Sequence, residues 1–171
     1  MGNPLALGKL PAEDLADLLD RYAHVDERVV VGPGIGVDAT AIEFGDQLLV
    51  AKTDPITFAT DEIGWYAVNV NANDVACLGA TPRWFLATLL LPAGLTDRSL
   101  AERIFAQLSA ACRHLGVSLC GGHTEITHGL ERPIVVGQML GEVTRDDLVL
   151  PGGAQAGDVV LLTKGIAVEA T

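Results

Sequence analysis

"AVNVNANDVACLGATPRWFLATLLL" (residues 67–91) changes character in its middle. Its first half has the length and alanine content of a helix, Gly79-Ala80-Thr81-Pro82 closes it, and Arg83–Leu91 reads as a long strand. On its N-terminal side, "ATAIEF" and "QLLVAKT" read as two short strands joined by Gly45-Asp46, a hairpin signal. Further upstream, "LPAEDLADLLDRYA" starts with a proline and puts acids in its first turn. Leu15, Leu18 and Leu19 recur there at helical spacing, which predicts a surface helix with one buried face. Downstream, "TDRSLAERIFAQLSAACRHLG" is the clearest helix, with Thr96 placed to cap it and Gly116 to end it. "VSLC", "RPIVVGQMLGEV" and "GDVVLLTKG" are read as further strands. This order predicts an α+β domain, with helices on one face of a largely antiparallel or mixed sheet.

Composition narrows the partners. The 171 residues suffice for one domain with a real core, and 49% of them are hydrophobic. With a mean hydropathy of +0.35, a buried oligomer interface is expected. The net charge of −11 argues against nucleic acid, because no basic face would neutralise phosphates. An acidic chain can still bind a nucleotide when divalent metal ions lie between its carboxylates and the phosphates. Three cysteines, Cys77, Cys112 and Cys120, without a pairing pattern suggest reduced thiols and a cytoplasmic setting. The longest apolar stretch, "WFLATLLLPAGL", is broken by Pro92 and Gly94 and falls short of the about 20 residues a membrane span needs.

Four stretches carry chemistry. In "VGPGIGVDATAI" the third glycine of a dinucleotide fingerprint would fall on Val37, and no Gly-Lys-Ser/Thr follows. The loop is either a plain turn ending in a solvated Asp38 or a backbone cradle for an anion. In "AKTDPI", Asp54 stands at the end of an apolar strand before Pro55. Either it is a site residue, or it or Thr53 caps the following turn.

In the helix, Asn69 and Asn73 share one stripe, and Asn71 and Asp74 lie on a neighbouring one. Trp65, Val68, Ala72, Val75 and Ala76 fill the opposite arc. Val70 and Cys77 interrupt the polar arc, so its amides and carboxylate are expected to be semi-buried and to need partners. In "CGGHTEITHG", Gly121 and Gly122 follow the strand "VSLC" and allow close ligand approach. Thr124 could bond a phosphate, and Glu125 could serve as a metal ligand or base. Cys120, His123 and His128 offer a zinc set without a second paired knuckle, so Cys120 is read as a small buried hydrophobe.

Taken together and in this order, "GPGIGVDATAI", "KTDPI", "VNANDVACLGATP" and "GGHTE" resemble the aminoimidazole ribonucleotide synthetase (PurM-like) superfamily. That superfamily includes thiamine monophosphate kinase, selenophosphate synthetase and the HypE-type hydrogenase maturation factor, and "GKLPAEDL" looks most like the HypE-related branch. The resemblance runs from about Gly8 to the last residue. It implies an ATP site in which Asp38, Asp54 and Asp74 hold Mg²⁺ against the triphosphate, supported by Asn71 and Asn73. It also implies that Gly121, Gly122 and Thr124 contact phosphate or orient a small acceptor.

The implied reaction is ATP-dependent phosphorylation of that acceptor, and the implied assembly is a homodimer whose sheets pair into a barrel. Two departures stand out. Val37 occupies the place of the first of two adjacent acids. Family members also carry a C-terminal α/β domain, which is expected beyond Thr171; a terminal cysteine there would favour maturation-factor chemistry, and its absence would argue against it. The alternative is a dimeric assembly module that kept the fold and lost catalysis.

Overall fold

In a computed structural model, residues 4–59 and 61–161 are described. The chain forms α1 (Ala12–Tyr22), β1 (Val29–Val31), β2 (Thr40–Phe44), β3 (Gln47–Ile56), α2 (Ile63–Cys77), β4 (Thr81–Pro92), α3 (Arg98–Leu115), β5 (Ser118–Thr127), β6 (Ile134–Val143) and a 3-10 turn at Pro151–Gly153. The strands make one six-stranded sheet in the order β1-β2-β3-β6-β4-β5. Every pair is antiparallel except β4 with β5, which α3 connects as a crossover. The predicted α+β class, hairpin and long strand are all present.

Period-two alternation decides which strand residues meet the helices. Phe85, Ala87, Leu89 and Leu91 of β4 are buried, as are Val135, Gly137, Met139, Gly141 and Val143 of β6. They pack beneath Ile63, Val68 and Val75 of α2 and Ile104 and Leu108 of α3. Each fully buried side chain of this size adds about 1.5–3 kcal/mol of hydrophobic stabilisation. A Cβ on Gly137 would overlap the Asn71 side-chain nitrogen and lie 2.8 Å from the Phe85 ring. This glycine is what lets α2 sit close on β6.

Several local expectations are corrected. The α1 helix has no buried residue: Leu15 and Leu18 are exposed, and only Leu19 of the leucine stripe is half-buried, at the concavity it lines with the Gly32–Ile35 loop. Asp97 rather than Thr96 caps α3: its carboxylate accepts from Leu100 N at 2.8 Å, while Thr96 Oγ1 donates to Pro92 O. Gly116 ends the helix in the left-handed region, as predicted. Gly121 and Gly122 do not follow a short strand; β5 runs on through them to Thr127. Gly157–Leu161 is not strand, and the rest of "GDVVLLTKG" lies outside the described residues. No helix among the described residues is long and apolar enough to cross a membrane.

Candidate functional site

Along β3, Leu48, Val50, Lys52, Asp54 and Ile56 fall on one face by alternation, the face that α2 covers. This places a lysine and an aspartate among core residues. Lys52 is only 10% exposed, and its ammonium lies 2.8 Å from an Asp74 carboxylate oxygen and 3.5 Å from one of Asp54. Burial opposes the charged form of Lys52, but the hydrogen bond it donates to Asp74 and the charges of Asp54, Asp74 and Asp38 outweigh it. Its pKa is raised above the ordinary lysine value. Two carboxylates from different elements thus converge on one cation, and Asp38 adds negative charge from the glycine-rich loop.

Asn71 anchors this arrangement. It is fully buried, and its amide nitrogen donates to Ala67 O at 2.8 Å and, more weakly, to Asp54 O at 3.4 Å. Both partners are acceptors, which fixes the orientation of the amide. The bond to Asp54 ties α2 to the strand residue whose carboxylate faces Lys52. The Asn71 carbonyl oxygen is buried without a partner among the described residues.

The structure separates the other amides from this cluster. The core stripe of α2 consists of Ile63, Gly64, Ala67, Val68, Asn71, Ala72 and Val75. Asn71 therefore belongs to the buried stripe, and Trp65 and Ala76, expected there, are exposed. Asn73 is exposed, about 200° around the helix from Asn71. Asn69 bonds its own helix at Trp65 O. Asp38 is exposed, and Val37 beside it packs against the core. Thr53 caps no turn; its hydroxyl donates to Gly137 O across the sheet, and β3 continues past Asp54 to Ile56.

The second glycine motif lies elsewhere, on the edge strand β5. The ladder with β4 slips at Phe85/Leu86, so that Phe85 pairs with Leu119 and Leu86 with Gly121. Cys120 is the extra residue of this bulge. It is exposed rather than buried, and its thiol donates to Phe85 O. Gly122 has φ +142°, and a Cβ there would overlap the Ala87 carbonyl oxygen, so the position requires glycine for strand pairing alone. His123 and Glu125 pair with each other at 3.1 Å on the exposed strand. A concavity of about 230 Å³ between α3 and β5 is lined in part by Gly121, Gly122 and Thr124. A second, of about 430 Å³, lies between α1 and the Gly32–Ile35 loop. Neither reaches Lys52, whose carboxylate partners lie on more open surface, Asp54 at 39% and Asp74 at 24% exposed.

Lys52 is the residue that motif reading missed. Its signal was present in the alternation of "LLVAKTDPI", which puts the lysine on the same face as Leu48 and Val50.

Comparison with known proteins places this geometry. The profile of the AIR synthase related protein, N-terminal domain, matches residues 36–143; this chain belongs to that family. It is 27% identical over 168 residues to a Methanocaldococcus jannaschii protein provisionally named for hydrogenase expression and formation, covering 93% of this chain and 49% of that protein. It is 31% identical over 160 residues to the selenide, water dikinase of Paraburkholderia xenovorans, covering 90% of this chain and 44% of that enzyme. The chain spans about half the length of these curated relatives. Among solved structures, PurLQS from Thermotoga maritima shares the fold, with a TM-score of 0.70 at 21% identity over 86% of this chain and 28% of that one. The hydrogenase maturation protein HypE in complex with ATP superposes with a TM-score of 0.52 at 27% identity, over 78% of this chain and 36% of that one.

Proposed function

We propose that this chain is the ATP- and Mg²⁺-binding N-terminal domain of an enzyme that phosphorylates a small acceptor, with a chemistry related to hydrogenase maturation. The observation that carries the reading is the convergence of Asp54 and Asp74, from β3 and α2, on a single cation at Lys52. The donor chemistry fits Mg²⁺, which prefers carboxylate oxygens and is commonly held by one or two carboxylates plus substrate phosphates. Among the described residues no three His, Cys, Asp or Glu side chains form a ready metal cage, so phosphate oxygens would complete the coordination. Asp54 and Asp74 would hold the metal, with Asp38 as the third acid. When bound, Mg²⁺ would neutralise the phosphates and polarise the transferred group. Asn71 orients Asp54, while Asn73, Gly121, Gly122 and Thr124 are proposed to meet phosphate or the acceptor from outside the carboxylate cluster.

The far face of the sheet supports a homodimer. Leu49, Ala51, Leu86, Leu90, Val136 and Leu140 alternate with the core residues and are only half-buried in the single chain. A second copy would cover them, sheet against sheet, as a barrel would.

The test is thermal unfolding with a nonhydrolysable ATP analogue and Mg²⁺. At a hundredfold excess over Kd, binding adds about 2.7 kcal/mol and raises Tm. Asp74→Ala is expected to abolish the shift, and no shift in the wild type sinks the reading.

One observation favours a second reading, a non-catalytic assembly module. Val37, where the family pattern has an acid, is packed against the core. If Val37→Asp leaves metal affinity unchanged and the intact protein lacks ATPase activity, that second reading gains.

A further inference from the structure

Lys52 raises a question that the nucleotide reading leaves unanswered. Its ammonium already occupies the carboxylates that a divalent cation would need. The side chain is nearly covered, two acids contact it, and Asp38 adds a third charge. Without that ammonium, Asp54 and Asp74 would face each other as unscreened like charges, a destabilising arrangement in a partly buried setting. A lysine ammonium is a compact point charge on a flexible four-carbon stem. It can neutralise carboxylates and, by rotating that stem, serve a phosphate instead.

We propose that Lys52 is the resident counter-cation of this site: it holds Asp54 and Asp74 together before a divalent cation arrives, competes with that cation for the same oxygens, and turns to the nucleotide phosphates once displaced. The inference rests on the proposed nucleotide site and deepens it. Lys52 is a positioning residue here, and metal entry is an exchange of one cation for another. A lysine that only staples β3 to α2 would stay in place when metal is added.

Two measurements on the intact protein, as the cell makes it, test this. In the first, Mn²⁺ replaces Mg²⁺ as a paramagnetic probe and is titrated without nucleotide, with free Mn²⁺ read by electron paramagnetic resonance. Lys52→Met is expected to bind Mn²⁺ roughly tenfold more tightly than wild type, which corresponds to about 1.4 kcal/mol of lost competition. Lys52→Arg keeps the charge and is expected to bind no more tightly than wild type.

The second measurement needs no variant, so it stands even if Lys52→Met fails to fold. Lysine acetylation is read by peptide mass spectrometry, with exposed Lys9 as the internal reference. Lys52 labelling is expected to rise when Mn²⁺ is added and to fall again when a nonhydrolysable ATP analogue follows. Equal or weaker Mn²⁺ binding by Lys52→Met, or Lys52 labelling that Mn²⁺ leaves unchanged, overturns the inference. If Mn²⁺ still binds together with the nucleotide analogue in that case, the proposed function survives. Absence of Mn²⁺ binding to both wild type and Lys52→Met, with and without the analogue, overturns both.

Discussion

The middle of the sheet and its β5 edge both carry glycine next to polar side chains, yet the two regions use them in opposite ways. Where α2 crosses β3 and β6, Gly137 clears space for Asn71, and Asn71 reaches the Asp54 backbone beside the Lys52 ion pairs. There Asn71 bonds both its own helix at Ala67 and the Asp54 backbone on β3, and Lys52 of β3 pairs with Asp74 of α2. At β5, Gly122 serves strand pairing, and His123, Thr124 and Glu125 are exposed on an edge strand. Polar residues in the middle are partly buried and tied across elements, whereas those on the edge are exposed, with His123 and Glu125 paired along one strand. A preorganised cluster is the better place for chemistry that needs precise geometry.

The contrast breaks most readily at Asn71. Asn71→Asp sets a carboxylate against two carbonyl oxygens with no donor. It is expected to cost about 3–5 kcal/mol at neutral pH, the cost of an unpaired buried charge. Urea unfolding measures it, and near-wild-type stability would mean that Asn71 is not the anchor described. Gly137→Ala comes next, at about 2–3 kcal/mol by the same measurement, because the new methyl group meets the Asn71 amide and the Phe85 ring.

Gly122→Ala sharpens the contrast from the other side. Its clash is with backbone, but on an edge strand that can loosen by itself. About 1–2 kcal/mol is expected, with faster amide hydrogen exchange confined to β5 and protection of α2 and β6 retained. Equal loss of protection across the sheet would show that edge and middle are one cooperative unit.

The smallest expected effect is at Asp97. Its backbone hydrogen bond from Leu100, then that from the Ser99 hydroxyl, hold its carboxyl below the usual value. A depressed folded-state pKa stabilises above the unfolded value of about 3.8 and is lost as pH falls through the folded value. Asp97→Ala should therefore lower Tm slightly at neutral pH and converge with wild type in strong acid. A Tm difference that persists in strong acid would assign the cap another role.

Local signals explain what was legible. The Gly45-Asp46 hairpin, the Gly79 turn and the Gly116 stop each depend on neighbours a few residues away, so the elements they bound were read in type and place, although β4 already begins at Thr81. The helical period put Asn71 and Asn73 on separate stripes, but nothing local said that Asn71 lies on the buried one and Asn73 faces outward. The buried face expected for α1 failed for a related reason: a leucine stripe shows what could be covered, and of this one only Leu19 is half-buried.

By itself, then, the sequence determined the order of elements up to β6, the α+β class and the family, because period, turn residues and motif spacing are properties of short stretches. It also held the alternation that puts Lys52 and Asp54 together on the core face, although nothing local says that Asp74 would meet them there. Only the tertiary structure decided that Lys52 also meets Asp74, that Asn71 is sealed between α2 and the sheet, and that Gly122 belongs to strand pairing. Those facts depend on α2 packing over β3 and β6 and on β4 pairing with β5, which bring residues distant in the chain within bonding reach.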